Sequence, residues 1–181
     1  ANKGLLMVAA AGNDGPCSDC VGYPAAYPEV IAVSSTASDD SLSDFSSTGP
    51  GVELAAPGTD IYSTVPSGYA TFSGTSMACP HVSGAAAQVM ATGATASEAR
   101  TILQDSAEDI GLGDNEQGYG LLDAENAVAA AGGGGGGDDA APSVSWANPA
   151  DADTVSDTVS IQIDASDAED ADDRSEERRV G

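Results

Sequence analysis

The stretch that decides the fold is Gly74-Thr75-Ser76-Met77-Ala78-Cys79-Pro80-His81-Val82-Ser83-Gly84. It follows a predicted strand, Tyr69–Ser73, and it opens a predicted helix of mostly small residues that runs to about Met90. Ser76 therefore lies where a strand turns into a helix. The first backbone N–H groups of a helix lack partners within it and carry about half a positive charge. A nucleophile at this position suits a reaction that develops negative charge.

The charge balance of the chain is extreme, with 29 acidic against 5 basic residues and a formal net charge of −24. This balance makes nucleic acid a poor partner, because binding to phosphates needs lysine and arginine. A disordered, solvating chain is one explanation of such acidity, but residues 1–130 carry periodic apolar runs. We therefore interpret the acidity as adaptation to high salt, where screening removes the self-repulsion of a negative surface.

Apolar runs predict a set of strands before the motif. Leu5–Ala11 is a continuous apolar run, as expected of a buried parallel strand, and Val30–Ser34 and Val52–Ala56 predict two more strands. Ser35–Ser47 is polar and is interpreted as a surface excursion. Ile61–Val65 is predicted to pair with the strand that directly precedes the motif.

Two further helices are predicted after the motif helix. Thr95-Ala96-Ser97-Glu98 is a capping-box pattern that opens a helix to about Ser106. Asp123 is predicted to cap a last short helix that ends at Gly132. These helices complete the first predicted domain, residues 1–131.

Six consecutive glycines begin a predicted flexible linker over residues 132–142. Residues 143–173 alternate apolar and polar side chains and resemble the start of an all-β, immunoglobulin-like sandwich, with too few strands to bury two sheet faces. Residues 174–181 hold three of the five basic residues, and we expect them to be a non-native tail. No apolar run is long enough to span a membrane. Because the chain does not begin with methionine, we interpret it as an internal piece of a longer precursor.

Two motifs carry a resemblance to a known family. The stretch around Ser76, GTSMA-x-PH-x-(S/A)-G, resembles the nucleophile motif of the subtilisin-like serine proteases, the subtilases, of the halolysin type. AAAGNDG, which contains Asn13 and follows a predicted strand, is similar to the oxyanion segment of that family. Taken alone, Ser76 would be interpreted as a helix cap and Asn13 as a turn residue. The resemblance covers Leu5 to about Ala131 and implies an α/β fold, a mainly parallel sheet with helices on both faces, of which this chain is the C-terminal half.

The resemblance implies that Ser76 is the catalytic nucleophile, and that the Asn13 amide and the Ser76 backbone N–H stabilise the oxyanion. It also implies a histidine in an H-G-T-H segment and an aspartate in a D-(S/T/D)-G segment, and neither segment is present. On one helix, His81 would be separated from Ser76 by about 500° of rotation and about 7.5 Å of rise, so the two do not share a face. Asp14 and Asp60 are the nearest acids by context and match neither pattern. We therefore interpret the chain as truncated and inactive as given.

The substrate pocket is also implied by the resemblance. One wall of the first specificity pocket is expected at Ala10, Ala11 and Gly12, with its base at Gly22 and a further substrate contact at Thr75. Small residues leave a roomy, mostly apolar slot. We therefore expect broad specificity that accepts large apolar side chains.

A structural calcium ion is a further expectation. The backbone carbonyls of Ala25, Tyr27 and Val30 and the carboxylate of Glu53 match a cation site that many relatives have, and oxygen ligands suit Ca²⁺. The alternative is that Glu53 is an acidic surface residue like many others in this chain.

The three cysteines leave alternatives open. Cys17 and Cys20 form a C-x-x-C pair in a loop that contains glycine and proline. A redox motif or half a zinc site is possible in principle, but no second pair is present, and a short-loop disulfide or two free thiols is favoured. Cys79 lies in the first turns of the motif helix and is expected to be a small buried residue.

Together with the acidic composition, the resemblance implies a secreted, salt-adapted serine endopeptidase that acts on proteins or peptides outside the cell. We expect a monomer that needs no cofactor for its chemistry and has no nucleic-acid or membrane partner. One alternative is a non-catalytic extracellular module derived from a protease. A lipase-type hydrolase is disfavoured, because Ala78 replaces the second glycine of G-x-S-x-G.

Overall fold

The computed structural model describes residues 4–133, 143–146 and 163–166. The chain divides into two compact units, Ala1–Gly135 and Gly136–Gly181. All the residues that the sequence singles out for function belong to the first unit.

A three-stranded parallel sheet forms the centre of the first unit. Its strands are β1 (Met7–Ala10), β2 (Val30–Thr36) and β3 (Val52–Pro57), hydrogen-bonded in the order β1-β2-β3. The prediction of a parallel sheet is thus confirmed for these strands. Because parallel strands end at the same edge of a sheet, the loop after β1, which carries Asn13, starts at the same edge where β2 and β3 end.

An antiparallel hairpin follows the sheet. It consists of β4 (Ile61–Val65) and β5 (Gly68–Phe72), with Ile61 opposite Phe72. Tyr62 and Tyr69 lie exposed on it, with their ring centroids 5.4 Å apart. The hairpin confirms the predicted strand pair, and it leads directly into the motif helix.

Four α-helices follow, and their bounds are α1 (Thr75–Ala91), α2 (Ala96–Asp105), α3 (Asp114–Gln117) and α4 (Ala124–Val128); a short π-helix, Ala129–Gly133, continues directly from α4. Helix α1 contacts all three strands of the sheet. Its buried residues are small or β-branched, which lets the helix lie close to the sheet. The core brings together side chains of the sheet and helices, among them Ile31, Val33, Leu54, Val82, Val89 and Leu103. No helix among the described residues is both long and apolar enough to cross a bilayer.

The predicted helix caps are confirmed. Thr95 Oγ1 accepts from Glu98 N at 3.3 Å, and Glu98 Oε2 accepts from Thr95 N at 2.8 Å, so the capping box is complete. The backbone N–H of Thr95 holds the pKa of the Glu98 carboxyl below its usual value. Asp123 Oδ1 accepts from Asn126 N at 2.9 Å and caps α4.

Strand β1 differs from its prediction, because it is not a buried strand. Its residues are half-buried or exposed, and the side chains of Leu5 and Met7 are 69% and 47% exposed. The physical reason is position: in the described part of the chain β1 is the outer strand of its sheet, with a hydrogen-bonded neighbour on one side only.

The predicted surface excursion over Ser35–Ser47 is wrong at both ends of the segment, although Ser38–Ser41 in its middle are exposed. Strand β2 continues through Thr36, and Ser43, Ser46 and Ser47 are buried. Buried hydroxyls are tolerated when they are hydrogen-bonded, and here Ser43 Oγ lies 2.7 Å from Ser35 Oγ and 2.7 Å from Thr59 Oγ1.

The two sides of the sheet are covered differently. Val33 packs into the core with α1. Because side chains alternate along a strand, Ser34 points to the opposite side, where its hydroxyl donates to the Glu116 carbonyl in α3 at 2.6 Å. A helix therefore lies on each side of the sheet, although α3 has only four residues.

In the second unit, β6 (Ser143–Trp146) and β7 (Ile163–Ser166) form an antiparallel pair. Most of the predicted linker, the remainder of the predicted sandwich and the tail of residues 174–181 lie outside the described residues. The domain boundaries and the immunoglobulin-like character of this region therefore stay predictions.

Candidate active site

Ser76 is the second residue of α1, and its side chain is exposed. The first four N–H groups of a helix have no partner within it. Here the four belong to Gly74, Thr75, Ser76 and Met77, and three of them have acceptors: Gly74 N donates to the Gly58 carbonyl, Thr75 N to Asn13 Oδ1 and Met77 N to the Gly74 carbonyl. Within the described residues this leaves the Ser76 N–H for a ligand.

Thr75 fixes the orientation of the Asn13 side chain. Asn13 Oδ1 accepts from the Thr75 backbone N–H at 2.9 Å and from the Thr75 hydroxyl at 2.9 Å. Because a backbone N–H can only donate, the atom facing it must be the amide oxygen, and Nδ2 is therefore the free end of the side chain. Thr75 is 1% exposed and also accepts from Gly12 N at 3.2 Å. Any effect of Thr75 on substrate binding therefore passes through its neighbours.

The two candidate oxyanion donors meet beside Gly74. A Cβ built on Gly74 would lie 3.4 Å from Asn13 Nδ2 and 3.7 Å from Ser76 N. Both donors thus border the same small space. Two N–H groups that point into one space are what a developing oxyanion requires.

His81 does not face Ser76. Its Nδ1 lies 2.8 Å from the Met77 carbonyl, one helical turn earlier, so the ring is bound to the backbone of its own helix. Asp60 accepts from Ser73 Oγ at 3.3 Å at the base of the hairpin. Among the described residues, no histidine or carboxylate is hydrogen-bonded to Ser76.

The segments expected to form the specificity pocket come together. Gly22 N donates to the Ala11 carbonyl at 2.8 Å, which joins the expected base to the expected wall. Ala11 is buried and Ala10 is half-buried. Gly12 has a φ of +121°, a left-handed conformation that favours glycine, and a Cβ there would lie 2.8 Å from Ser47 Oγ. Both the backbone conformation and the lack of space thus explain the glycine at position 12.

Comparison with known proteins identifies the family, because residues 1–120 match the subtilase family. This chain belongs to the subtilase family. It is 52% identical over 128 residues to the halolysin-like extracellular serine protease Nep of Natrialba magadii, covering 69% of this chain and 23% of that protein. It is 48% identical over 126 residues to halolysin of Haloferax mediterranei, covering 68% and 24%, and 49% identical over 110 residues to thermitase of Thermoactinomyces vulgaris, covering 60% and 39%. The chain thus spans about a quarter of the length of the first two of these relatives.

The expected calcium site of this subtilase does not fit a calcium ion. The Glu53 carboxylate accepts from Arg100 Nε at 2.7 Å, from Arg100 Nη2 at 2.5 Å and from Gln104 Nε2 at 2.7 Å. Arg100 Nη2 also donates to the Pro28 carbonyl at 3.1 Å, inside the loop whose Ala25, Tyr27 and Val30 carbonyls were expected to bind the ion.

The charge of Glu53 is therefore already balanced by a guanidinium, and its hydrogen bonds raise the pKa of Arg100. No cluster of three or more histidine, cysteine, aspartate or glutamate side chains suited to a metal occurs in the described residues. Sequence reasoning missed Arg100. The signal was available, since Arg100 is the only lysine or arginine between residues 4 and 133.

The cysteines of this subtilase take one of the two favoured arrangements. Cys17 and Cys20 form a disulfide in the loop after Asn13. Cys79 is a free, half-buried thiol, and burial raises its pKa, so it stays protonated at neutral pH.

Proposed function

We propose that this chain supplies the nucleophile and the oxyanion donors of a serine endopeptidase. The observation that carries the proposal is the convergence of Asn13 Nδ2 and Ser76 N on the space beside Gly74, next to an exposed serine at a helix start. Membership of the subtilase family and the similarity to proteases named halolysin and thermitase support it.

In this mechanism, Ser76 Oγ attacks the carbonyl carbon of a peptide bond, and its proton passes to a base. The carbonyl oxygen becomes negatively charged and accepts hydrogen bonds from Asn13 Nδ2 and Ser76 N. Collapse of this intermediate breaks the C–N bond and releases the amine, which takes up the proton. Water then hydrolyses the acyl-enzyme by the same route and frees Ser76.

The base and its orienting carboxylate lie outside these 181 residues in our proposal. His81 is the only histidine in the sequence, and its ring is bound to the helix backbone. The outer side of β1 supports a further part of the protein beside it. A groove of about 600 Å³ runs there between β1 and α1, and the apolar side chains of Leu5 and Met7 are exposed. An unpaired strand edge with apolar side chains is normally covered.

The proposed substrates are proteins and peptides with large apolar side chains at the cleaved position, because the residues expected to form the wall and base of the pocket, Ala10, Ala11, Gly12 and Gly22, are all small. We propose secretion into a high-salt environment, in line with the extracellular halolysin-like relative and the net charge of −24. A monomer without a cofactor for the chemistry, a nucleic-acid partner or a membrane partner completes the proposal.

The test uses the complete protein that contains these residues, expressed and assayed in high salt. Ser76→Ala is expected to abolish hydrolysis of casein and labelling by a fluorophosphonate, since both need the serine oxygen. Ser83→Ala is the matched control, because Ser83 is also an exposed serine of α1 and only donates to the Cys79 carbonyl.

Asn13→Ala is expected to lower kcat by about 10- to 150-fold with little change in KM, because a hydrogen bond to a charged group contributes about 1.5–3 kcal/mol. Full activity of Ser76→Ala would refute the proposal. A folded wild-type protein that neither cleaves casein nor reacts with the fluorophosphonate would instead support the non-catalytic module.

A further inference from the structure

The loop that carries Asn13 rests on a buried serine. Ser47 is fully buried, and its backbone N–H donates to the Gly12 carbonyl at 2.9 Å. Its hydroxyl accepts from Asp14 N at 3.2 Å. Ser47 therefore holds the residue before Asn13 and the residue after it.

The outer part of the same loop is held as well. Cys17 N donates to Thr48 Oγ1 at 2.9 Å, Cys20 N donates to the Thr48 carbonyl at 2.9 Å, and Gly15 N donates to the Phe45 carbonyl at 2.9 Å. The Cys17–Cys20 disulfide closes this part of the loop on itself. These contacts restrain the part of the loop that lies farther from Asn13. The contacts of Ser47 restrain the two residues next to Asn13.

The contact between Ser47 and this loop leaves no spare room. The site of a Cβ on Gly12 lies 2.8 Å from Ser47 Oγ and 3.4 Å from Ser47 Cβ. On the other side, Thr75 holds the Asn13 side-chain oxygen. Ser47 thus fixes the backbone of Asn13, and Thr75 fixes its side chain.

We propose that Ser47 is a positioning residue for Asn13 in the reaction, an inference that rests on the proposed role of Asn13 as oxyanion donor. Without the Ser47 hydroxyl, the peptide between Asn13 and Asp14 loses its support, and Nδ2 no longer keeps its place beside Gly74. Such a displacement weakens the binding of the transition state and leaves the binding of the substrate unchanged. We expect Ser47→Ala to lower kcat about tenfold, with KM unchanged.

The experiment is a double-mutant cycle in the complete protein. It compares wild type, Ser47→Ala, Asn13→Ala and the double variant, with kcat and KM measured on a peptide anilide. The inhibition constant of a peptide aldehyde, whose adduct with serine carries the oxyanion, is measured in parallel. Ser46→Ala is the matched control, since Ser46 is equally buried and its hydroxyl makes no hydrogen bond to the Asn13 loop. That hydroxyl accepts from Ser35 N at 3.0 Å and donates to the Ser47 carbonyl at 3.3 Å, so the control removes a buried hydroxyl next to Ser47 and leaves the Ser47 side chain in place.

In the protein that keeps Asn13, we expect Ser47→Ala to lower kcat and to weaken aldehyde binding. In the Asn13→Ala variant, we expect Ser47→Ala to cause no further change in kcat or in aldehyde binding. Ser46→Ala is expected to lower the unfolding midpoint with kcat retained. Equal losses from Ser47→Ala in both backgrounds, or an equal kcat loss from Ser46→Ala, would overturn the positioning role. An Asn13→Ala variant with normal kcat would instead refute the oxyanion role itself. If Ser47→Ala does not fold, Ser47→Cys, a weaker acceptor of similar size, replaces it in the cycle.

Discussion

The two proposed oxyanion donors, Asn13 Nδ2 and Ser76 N, lie beside Gly74. Its missing side chain leaves the space that Asn13 Nδ2 and Ser76 N border, at 3.4 Å and 3.7 Å from the Cβ position. Gly74 N also donates to the Gly58 carbonyl at 2.8 Å, which anchors the residue where the hairpin meets α1. Space and anchoring at one residue therefore support the place that our proposal gives to the substrate carbonyl oxygen.

We predict that Gly74→Ala lowers kcat strongly while the protein stays folded. The added methyl group would make ordinary van der Waals contacts and would fill the space that a substrate oxygen needs. Kinetics on a peptide anilide, together with thermal unfolding, check this. Gly84→Ala is the control, because a Cβ on Gly84 of the same helix meets nothing within 4 Å. Unchanged kcat in Gly74→Ala would contradict the placement of the oxyanion.

At this scale the sequence predicted Ser76 and Asn13 as partners, and the structure joins their segments through Thr75. The sequence did not predict that Ser47 is buried beside Asn13. The local polarity of its segment indicates a surface position, whereas hydrogen bonds to distant residues allow it to be buried. The partner of the Ser47 hydroxyl is Asp14 N, 33 residues away in the chain. No local pattern encodes such a pairing.

At the scale of elements, Arg100 ties three segments together. It lies on α2, pairs with Glu53 on β3 and donates to the Pro28 carbonyl in the loop before β2. Glu53 is 8% exposed, so its carboxylate oxygens rely on these donors for hydrogen bonds. The guanidinium thus bridges the Glu53 carboxylate and the loop whose carbonyls were expected to bind a cation.

We predict that Arg100→Met lowers the free energy of unfolding by about 2–3 kcal/mol, because it leaves a buried carboxylate with Gln104 as its remaining side-chain donor. Urea unfolding at constant salt measures the loss. The Arg100→Met/Glu53→Gln double variant is expected to regain part of it, since no buried charge remains. A single variant as stable as wild type would contradict this role.

The order and type of the main elements could be predicted because their signals are local. The capping box at Thr95 and Glu98 and the apolar runs of β2 and β3 are examples. The exposure of β1 could not be predicted, since the run Leu5–Ala11 has the composition of a buried strand. Its exposure depends on which strands lie beside it.

At the scale of the whole molecule, charge dominates. The formal net charge is −24, and among residues 4–133 a single basic side chain opposes the acidic ones. At low ionic strength such charges repel across the surface, because the screening length is about 10 Å at 0.1 M salt and about 3 Å at 1 M. Repulsion of this kind destabilises the compact state.

We predict that the midpoint of thermal unfolding rises with potassium chloride from about 0.1 M to 1 M and beyond, as screening shortens the reach of the repulsion. Circular dichroism at each salt concentration measures it. A neutral osmolyte such as sucrose at matched osmolality is the control, since it does not screen charge. A midpoint that is the same in dilute buffer as in concentrated salt would contradict adaptation to salt.

The isolation of Arg100 also affects how the protein can be cut. Trypsin cleaves after lysine and arginine, and between residues 4 and 133 it has one site, the Arg100–Thr101 bond within α2. A helical bond must open before a protease can cleave it, so cleavage there reports the opening of α2. Limited trypsin digestion thus yields one diagnostic cut in this region, and its rate follows the release of Arg100 from Glu53.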